Sequence, residues 1–324
     1  MGTSPGTSTI TPLVDCTHPC TTSIIVTTTP TCAPPSGSST LSATLSIGTS
    51  TRWTVPTCVT KMFFTVQGGA GGKATNNFPG GQGALIVGFI PVTPGQIISA
   101  IAGGMGGTSP FVSYATAPGG TSAYGRGGVG LRCSGGGGGA SALYLDGTLL
   151  VVSGAGGGGL TAVSSTKEPA NPVYEIHQGP SRGNAGQVGQ SNYYTNHAQT
   201  VNISVAYGGN PGLAGSAGLG GSYAGLYSEV VVGNPGINHI GGDGVAVTSY
   251  LAANGGGGGG GGGGYFGGGS GSSLFYDTQN VQLDKWAIGS GGGGGSSFTS
   301  GVLLNVSQGL SGSLTPGRIV VGYS

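Results

Sequence analysis

Hydrophobic and β-branched residues in this chain come in short runs separated by turn residues and stretches of glycine, and no run holds the 3.6-residue spacing of a helix. Two early runs, 21–29 and 41–47, are rich in β-branched residues and punctuated by Pro30, Pro34 and Pro35. A longer run at 53–66 ends at Gly68-Gly69-Ala70-Gly71-Gly72. Runs 84–90 and 96–102 follow, and Pro94-Gly95 between them predicts a turn, so the two are expected to pair as a hairpin. Runs 141–145 and 148–153 flank Asp146-Gly147, a favoured two-residue hairpin turn. The last run, 318–323, follows Pro316-Gly317. Glycine at this density opposes α-helix by about 1 kcal/mol per residue. The pattern predicts an all-β chain with little or no α-helix.

Composition changes this picture by raising the question of what the glycine does. The chain has 76 glycines in 324 residues, and 5% of residues are charged. Ordinary domains run near 7% glycine and about 25% charged, which sets this chain apart from the usual enzyme. Apolar residues reach 36% and the net charge is +1, the reverse of a disordered composition. The Lys and Arg residues are scattered from Arg52 to Arg318 with no basic stripe, which argues against nucleic acid as a partner. No stretch of 18 apolar residues predicts a membrane-spanning helix. Residues 1–10 lack the basic and apolar regions of a secretory signal. The expected explanations are a trimmed mature chain, an unusual export route, or a virion protein made in the host cytoplasm. The retained Met1 favours the last.

Residues 1–50 are rich in Thr, Ser and Pro and differ from the glycine-rich domain at 51–324. They are expected to be an attachment arm, pairing with a neighbour or an underlying particle, set against the plainer reading of a flexible leader. Cys16, Cys20, Cys32 and Cys58 fall in or beside this arm and Cys133 lies far off. Two disulfides among the first four are expected in an oxidising setting, with the pairing open. No second closely spaced pair completes a zinc site with Cys16, His18 and Cys20, so no metal is expected.

The glycine tracts at 68–72, 103–107, 135–139, 154–159, 208–221, 255–264, 267–271 and 291–295 admit three states. Collagen is excluded because glycine does not recur at every third position with abundant proline. Flexible linkers do not explain why tracts follow strands so often. The third state is a bundle of extended, left-handed polyglycine II helices. Each has three residues per turn and no internal hydrogen bonds, so neighbours must satisfy one another's backbone groups. Glycine is then required wherever two such helices touch.

The order Trp53-Thr54-Val55-Pro56, Phe64-Thr65-Val66-Gln67-Gly68-Gly69-Ala70-Gly71-Gly72-Lys73, Gly83-Ala84-Leu85-Ile86-Val87-Gly88-Phe89, the glycines at 135–139 and Leu149-Leu150-Val151-Val152-Ser153-Gly154-Ala155 resembles the glycine-rich extracellular domain of the anaplastic lymphoma kinase and leukocyte tyrosine kinase receptors. The resemblance covers about 51–324. It implies a jelly-roll β-barrel, similar to tumour necrosis factor, joined to a polyglycine-helix bundle. The chain also resembles, more loosely, phage tail-fibre tip adhesins, which display variable loops from the ends of such bundles. It carries no kinase segment, so receptor signalling is not implied.

No constellation of catalytic residues emerges. The eight acidic residues are dispersed, and His18, His177, His197 and His239 lack metal-type spacing. Around Lys73 a phosphate loop fails, because Gln67 stands at its first glycine and Ala74 at its Ser/Thr. Matches to short glycine motifs arise from composition alone. Asn202-Ile203-Ser204 and Asn305-Val306-Ser307 are glycosylation sequons. No enzyme activity and no cofactor are expected.

Three glycine-poor segments, 160–178, 190–207 and 272–288, gather charge and aromatics between tracts. Tyr174, His177, Tyr193, Tyr194, His197, Phe275, Tyr276 and Trp286 are the candidate recognition residues, since Tyr and Trp give contact area at low entropic cost. The competing reading has these aromatics closing the ends of the bundle. Trp53, on an apolar run, is expected in the core. The expected function is a non-enzymatic structural or adhesive protein of an extracellular or virion surface, such as a fibre, coat or filament subunit. It would self-associate or attach to a larger assembly and meet a cell-surface glycan or protein receptor. The alternative is a soluble or receptor-type ligand-binding module.

Overall fold

Strands form where apolar and polar residues alternate. In Lys61–Gln67, Met62, Phe64 and Val66 are buried and their neighbours are not. The computed structural model describes residues 50–74, 78–109, 116–160, 162–164, 174–178, 185–189, 191–196, 202–213, 215–225, 229–248, 256–277 and 285–323. The arm at 1–49, with Cys16, Cys20, Cys32 and the two early runs, lies outside them, as do His197 and Gly255.

The chain is all-β, with no helix among the described residues. Its strands are β1 (Ser50–Thr54), β2 (Lys61–Gln67), β3 (Ala84–Pro91), β4 (Ile97–Ile101), β5 (Thr116–Ala117), β6 (Gly130–Leu131), β7 (Ser141–Leu145), β8 (Thr148–Ser153), β9 (Ala162–Ser164), β10 (Tyr174–Gln178), β11 (Asn192–Asn196), β12 (Asn202–Ala206), β13 (Tyr223–Gly225), β14 (Glu229–Val231), β15 (Ser273–Asp277), β16 (Lys285–Gly289), β17 (Phe298–Thr299), β18 (Leu304–Leu310) and β19 (Arg318–Gly322).

Two larger antiparallel sheets, β1-β4-β7-β8-β17 and β18-β3-β2-β19, stack face to face. Their shared core includes Phe64, Val66, Ile86, Ile90, Ile98, Leu143, Val151 and Ile319, with Trp53 packed against its margin. Asp146 (φ 48°) and Gly147 (φ 80°) make the expected hairpin turn between β7 and β8. The other expected hairpin is absent. β3 pairs with β2 and β18, whereas β4 pairs with β1 and β7. The turn at Gly95 (φ 88°) exists, but it carries the chain from one sheet to the other. Its corner is tied to the β1–β2 link, where Val55 N–H donates to Gln96 O (2.8 Å) and Val92 N–H to Thr60 O (3.0 Å). Crossing places Ile86 and Ile90 over Ile98 and Ala100, so each run's apolar face is covered by the other sheet. For the same reason the expected barrel is an open two-layer sandwich: among the described strands no sheet closes, and β1, β17, β18 and β19 remain edges.

Two small sheets, β10-β11-β12-β13 and β14-β15-β16-β9, and the pair β5-β6 complete the strands. Between sandwich and small sheets lies a block of glycine segments with a strict hydrogen-bond pattern. Along 256–264 each residue faces a different neighbour, and every third residue returns to the same one. Gly258 and Gly261 donate to Val245 O and Gly242 O (both 2.8 Å), and Gly264 to His239 O (3.1 Å). Gly259 and Gly262 donate to Ser290 O and Gly293 O (both 2.9 Å). Gly260 and Gly263 donate to Gly135 O (3.1 Å) and Gly138 O (2.9 Å). Their carbonyls repeat the rule with three further segments. Gly259 O and Gly262 O accept from Gly271 and Gly268, Gly260 O and Gly263 O from Gly158 and Ala155, and Gly261 O from Gly128. The segment is therefore ringed on six sides. Segment 135–139 is surrounded in the same way, donating to 156–159, 104–107 and 128.

Candidate recognition surfaces

Serines flank several of the glycine segments. Ser153 Oγ donates to Ala84 O (2.8 Å), Ser290 Oγ to Tyr207 O (2.7 Å) and Ser134 Oγ to Gly258 O (2.8 Å). A serine is small enough for the crowded segment end and supplies a donor for a carbonyl there. These hydroxyls are bonded to backbone, which is a structural use. The described acids are used similarly. Asp146 accepts from Ile97 N–H (2.7 Å) and Gln96 Nε2 (2.9 Å), beside its own turn. Asp243 accepts from Val129 N–H (2.9 Å) and pairs with Arg126 at 3.4 Å, both half exposed. Among the described residues no three His, Cys, Asp or Glu side chains gather to hold a metal ion, and no helix is long and apolar enough to cross a membrane.

The glycine block has two different ends. At one, Gly256 and Gly289 approach Ala287 and Gly257, beside the small sheets. At the other, Gly264 abuts Ser296, which leads into β17 of the sandwich. The predicted recognition residues fall at the small-sheet end. Tyr174 and His177 lie on β10, Tyr193 and Tyr194 on β11, Tyr276 on β15 and Trp286 on β16. The register sets His177 opposite Tyr193, Ile176 opposite Tyr194, and Tyr276 opposite Trp286. β11 also approaches β16, so residues about ninety positions apart meet at one end. Phe275 is buried with Val247 and Ala287, inside the small sheet. Cys58 is disulfide-bonded, and the other described cysteine, Cys133, is a buried thiol.

A second aromatic group sits at the sandwich end. Tyr265 stacks on Phe298 (centroids 4.6 Å apart, 17° between planes) and meets Phe266 edge-on at 5.0 Å. Tyr124 lies 4.6 Å from His239, whose Nδ1 is 2.6 Å from Tyr265 O. Tyr124, Tyr144, Leu149, Tyr265 and Phe298 rest on Ala140, Ala142 and Val152. Beside them the turn that carries His239 exposes Ile237 (67%) and Ile240 (36%). Sequence reasoning weighed His239 only as a metal ligand and passed over the rest. The available signal was Tyr265-Phe266, which interrupts the longest glycine run.

Burial raises the Tyr124 phenol well above its ordinary value, with smaller contributions from Tyr144 and Tyr265. Burial raises the Tyr144 phenol too. The Tyr124 hydroxyl is buried without a hydrogen-bond partner. Tyr124→Phe is therefore expected to stabilise the protein by about 1 kcal/mol at neutral pH, since an unsatisfied buried hydroxyl is removed. The native phenol holds its proton more tightly than the unfolded one, so stability is full below the ordinary value of 10.0 and falls as pH rises above it. Urea melts across that range should show a shallower decline for Tyr124→Phe.

The chain matches no family model and no curated protein.

Proposed function

We propose that this chain is a non-enzymatic structural and adhesive protein of an extracellular or virion surface, a fibre, coat or filament subunit that presents recognition residues from the end of a rigid glycine scaffold. In this reading the glycine segments are polyglycine II helices packed as a bundle, and the sandwich is a jelly roll of the tumour-necrosis-factor type. The carrying observation is the three-residue rotation of hydrogen bonds along 256–264, with a different neighbour on each of six sides. A single polyproline-type helix repeats at three residues per turn, and only packed copies satisfy its backbone. Such a block holds both ends in fixed relation, which suits a spacer that displays contacts. The cross-strand pairs His177–Tyr193 and Tyr276–Trp286 put aromatic positions together at the far end. The proposed partners are further copies of the chain or a larger assembly, and a cell-surface glycan or protein. Nucleic acid, membrane insertion and cofactors have no part in it.

The test joins electron microscopy of the purified protein with a glycan array and a cell-binding assay. Ordered assemblies are expected, together with surface binding that Tyr193→Ala, Tyr194→Ala and Trp286→Ala weaken at least tenfold without lowering the melting temperature. A monodisperse monomer that binds no surface overturns the reading. A monomer that binds one soluble protein tightly turns it into the ligand-binding module.

A further inference from the structure

Every residue of β18 is exposed, along a sandwich edge where β3 is its one strand neighbour among the described residues. Its sequence, Leu304-Asn305-Val306-Ser307-Gln308-Gly309-Leu310, contains no charge and no proline. Leu304, Val306 and Leu310 are 45%, 39% and 40% exposed. Edge strands are ordinarily blunted by lysine, by proline or by a covering element, because a bare apolar edge templates another strand. A bulge between Leu304 and Ser307, with Asn305 at φ 50°, twists one end, but Ser307 to Leu310 stay in register with Val87 to Ala84.

The chain itself contains a matching strand. Leu41-Ser42-Ala43-Thr44-Leu45-Ser46-Ile47 alternates apolar and polar residues at every position and is also uncharged. It is joined by Gly48-Thr49 to Ser50, the first residue of β1. β1 is the far edge of its sheet, four strand positions from β17. β3 lies over β8, so β18, one place beyond β3, lies on the β17 side. The two edges are thus about 19 Å apart at ~4.8 Å per strand, with the ~10 Å between sheets in addition. Three residue steps from Ile47 to Ser50 span at most about 11 Å. One copy cannot lay 41–47 on its own β18.

We propose that residues 41–47 of one copy add as a strand to β18 of a second copy, by β-augmentation. This rests on the self-associating part of the reading above and names its interface. Donor and acceptor lie on opposite sides of the sandwich, so the contact is heterologous. Each copy gives a strand on one side and takes one on the other, which makes a head-to-tail series of subunits and not a two-fold dimer.

The test uses the full chain made in bacteria, so that Asn305 carries no glycan, and sedimentation velocity across a concentration series. Wild type is expected to form a ladder of oligomers that lengthens with concentration. Val306→Lys/Leu310→Lys places charge on an exposed edge and should leave the melting temperature unchanged while removing the ladder. Leu45→Lys/Ile47→Lys in the arm should do the same. Mixing the two variants is decisive: one retains a donor and the other an acceptor, so a capped 1:1 heterodimer should form and grow no further. A ladder that survives the β18 lysines overturns the proposal and leaves self-assembly standing. A wild type that stays monomeric, as it would if 41–47 folded back on β1, overturns both. Two monomeric variants that fail to form the heterodimer also overturn the edge assignment.

Discussion

Gly261→Val abolishes cooperative folding. A Cβ at Gly261 would sit inside 3.0 Å of the Gly268 carbonyl oxygen, and Gly242 N and the Gly268 carbonyl carbon close the same space. All of these are backbone atoms of segments ringed by other segments, so none retreats as a side-chain tip would. Gly258 is similarly closed by the Gly271 carbonyl. Opening one contact breaks the hydrogen bonds that run through it, including Gly261 to Gly242 O and Gly128 to Gly261 O. The expected loss exceeds about 5 kcal/mol, the range of mutations that break a packed network. Far-ultraviolet melts and proteolysis of purified protein should show the block open at room temperature. Gly301→Ala is the control. A Cβ there meets nothing within 4 Å, so stability is unchanged or rises by up to about 1 kcal/mol through the unfolded state. A Gly261→Val protein that melts like wild type would show that the segments do not pack in this way.

Phe64→Ala has the next largest effect. Phe64 is 1% exposed at the centre of β2, facing the other sheet across Ile98, Leu143 and Val151. Removing the ring leaves a cavity among β-branched neighbours that collapse poorly. A loss of about 3–5 kcal/mol is expected from urea unfolding. Gly88 sets the sign of the neighbouring change. A Cβ there would press on the Phe64 ring, so Gly88→Ala destabilises wild type and should cost less once Phe64 is alanine.

How much of this was legible in sequence depended on the range of the interaction. Asp146-Gly147 fixed a hairpin because turn and strands are contiguous. Pro94-Gly95 predicted the turn correctly and its partners wrongly, because a turn residue sets local direction but not which sheet receives the next strand. β18 went unread since Asn305, Ser307 and Gln308 dilute its apolar pattern and an edge strand needs little burial. The glycine composition announced close backbone contact, yet the neighbours of 256–264 come from 128–138, 155–158, 239–245, 268–271 and 290–293, and identical residues carry no label of partner. Tyr124, His239, Tyr265 and Phe298 lie far from one another in sequence and converge only through that packing. At the other end, the cross-strand meetings of His177 with Tyr193 and Tyr276 with Trp286 follow from register. The glycine-poor segments grouped these residues but could not place Phe275 in the interior.

The three-residue return of hydrogen bonds along 256–264 gives the glycine segments a reading frame. Inserting or deleting one or two residues rotates everything downstream by a third or two-thirds of a turn, so every N–H faces the wrong neighbour. Three residues restore the phase but lengthen the segment, which the surrounding segments match only by lengthening together. Segment lengths in the block are therefore quantised and mutually locked. Length can change freely only outside the block, in the turns and strands that join its segments.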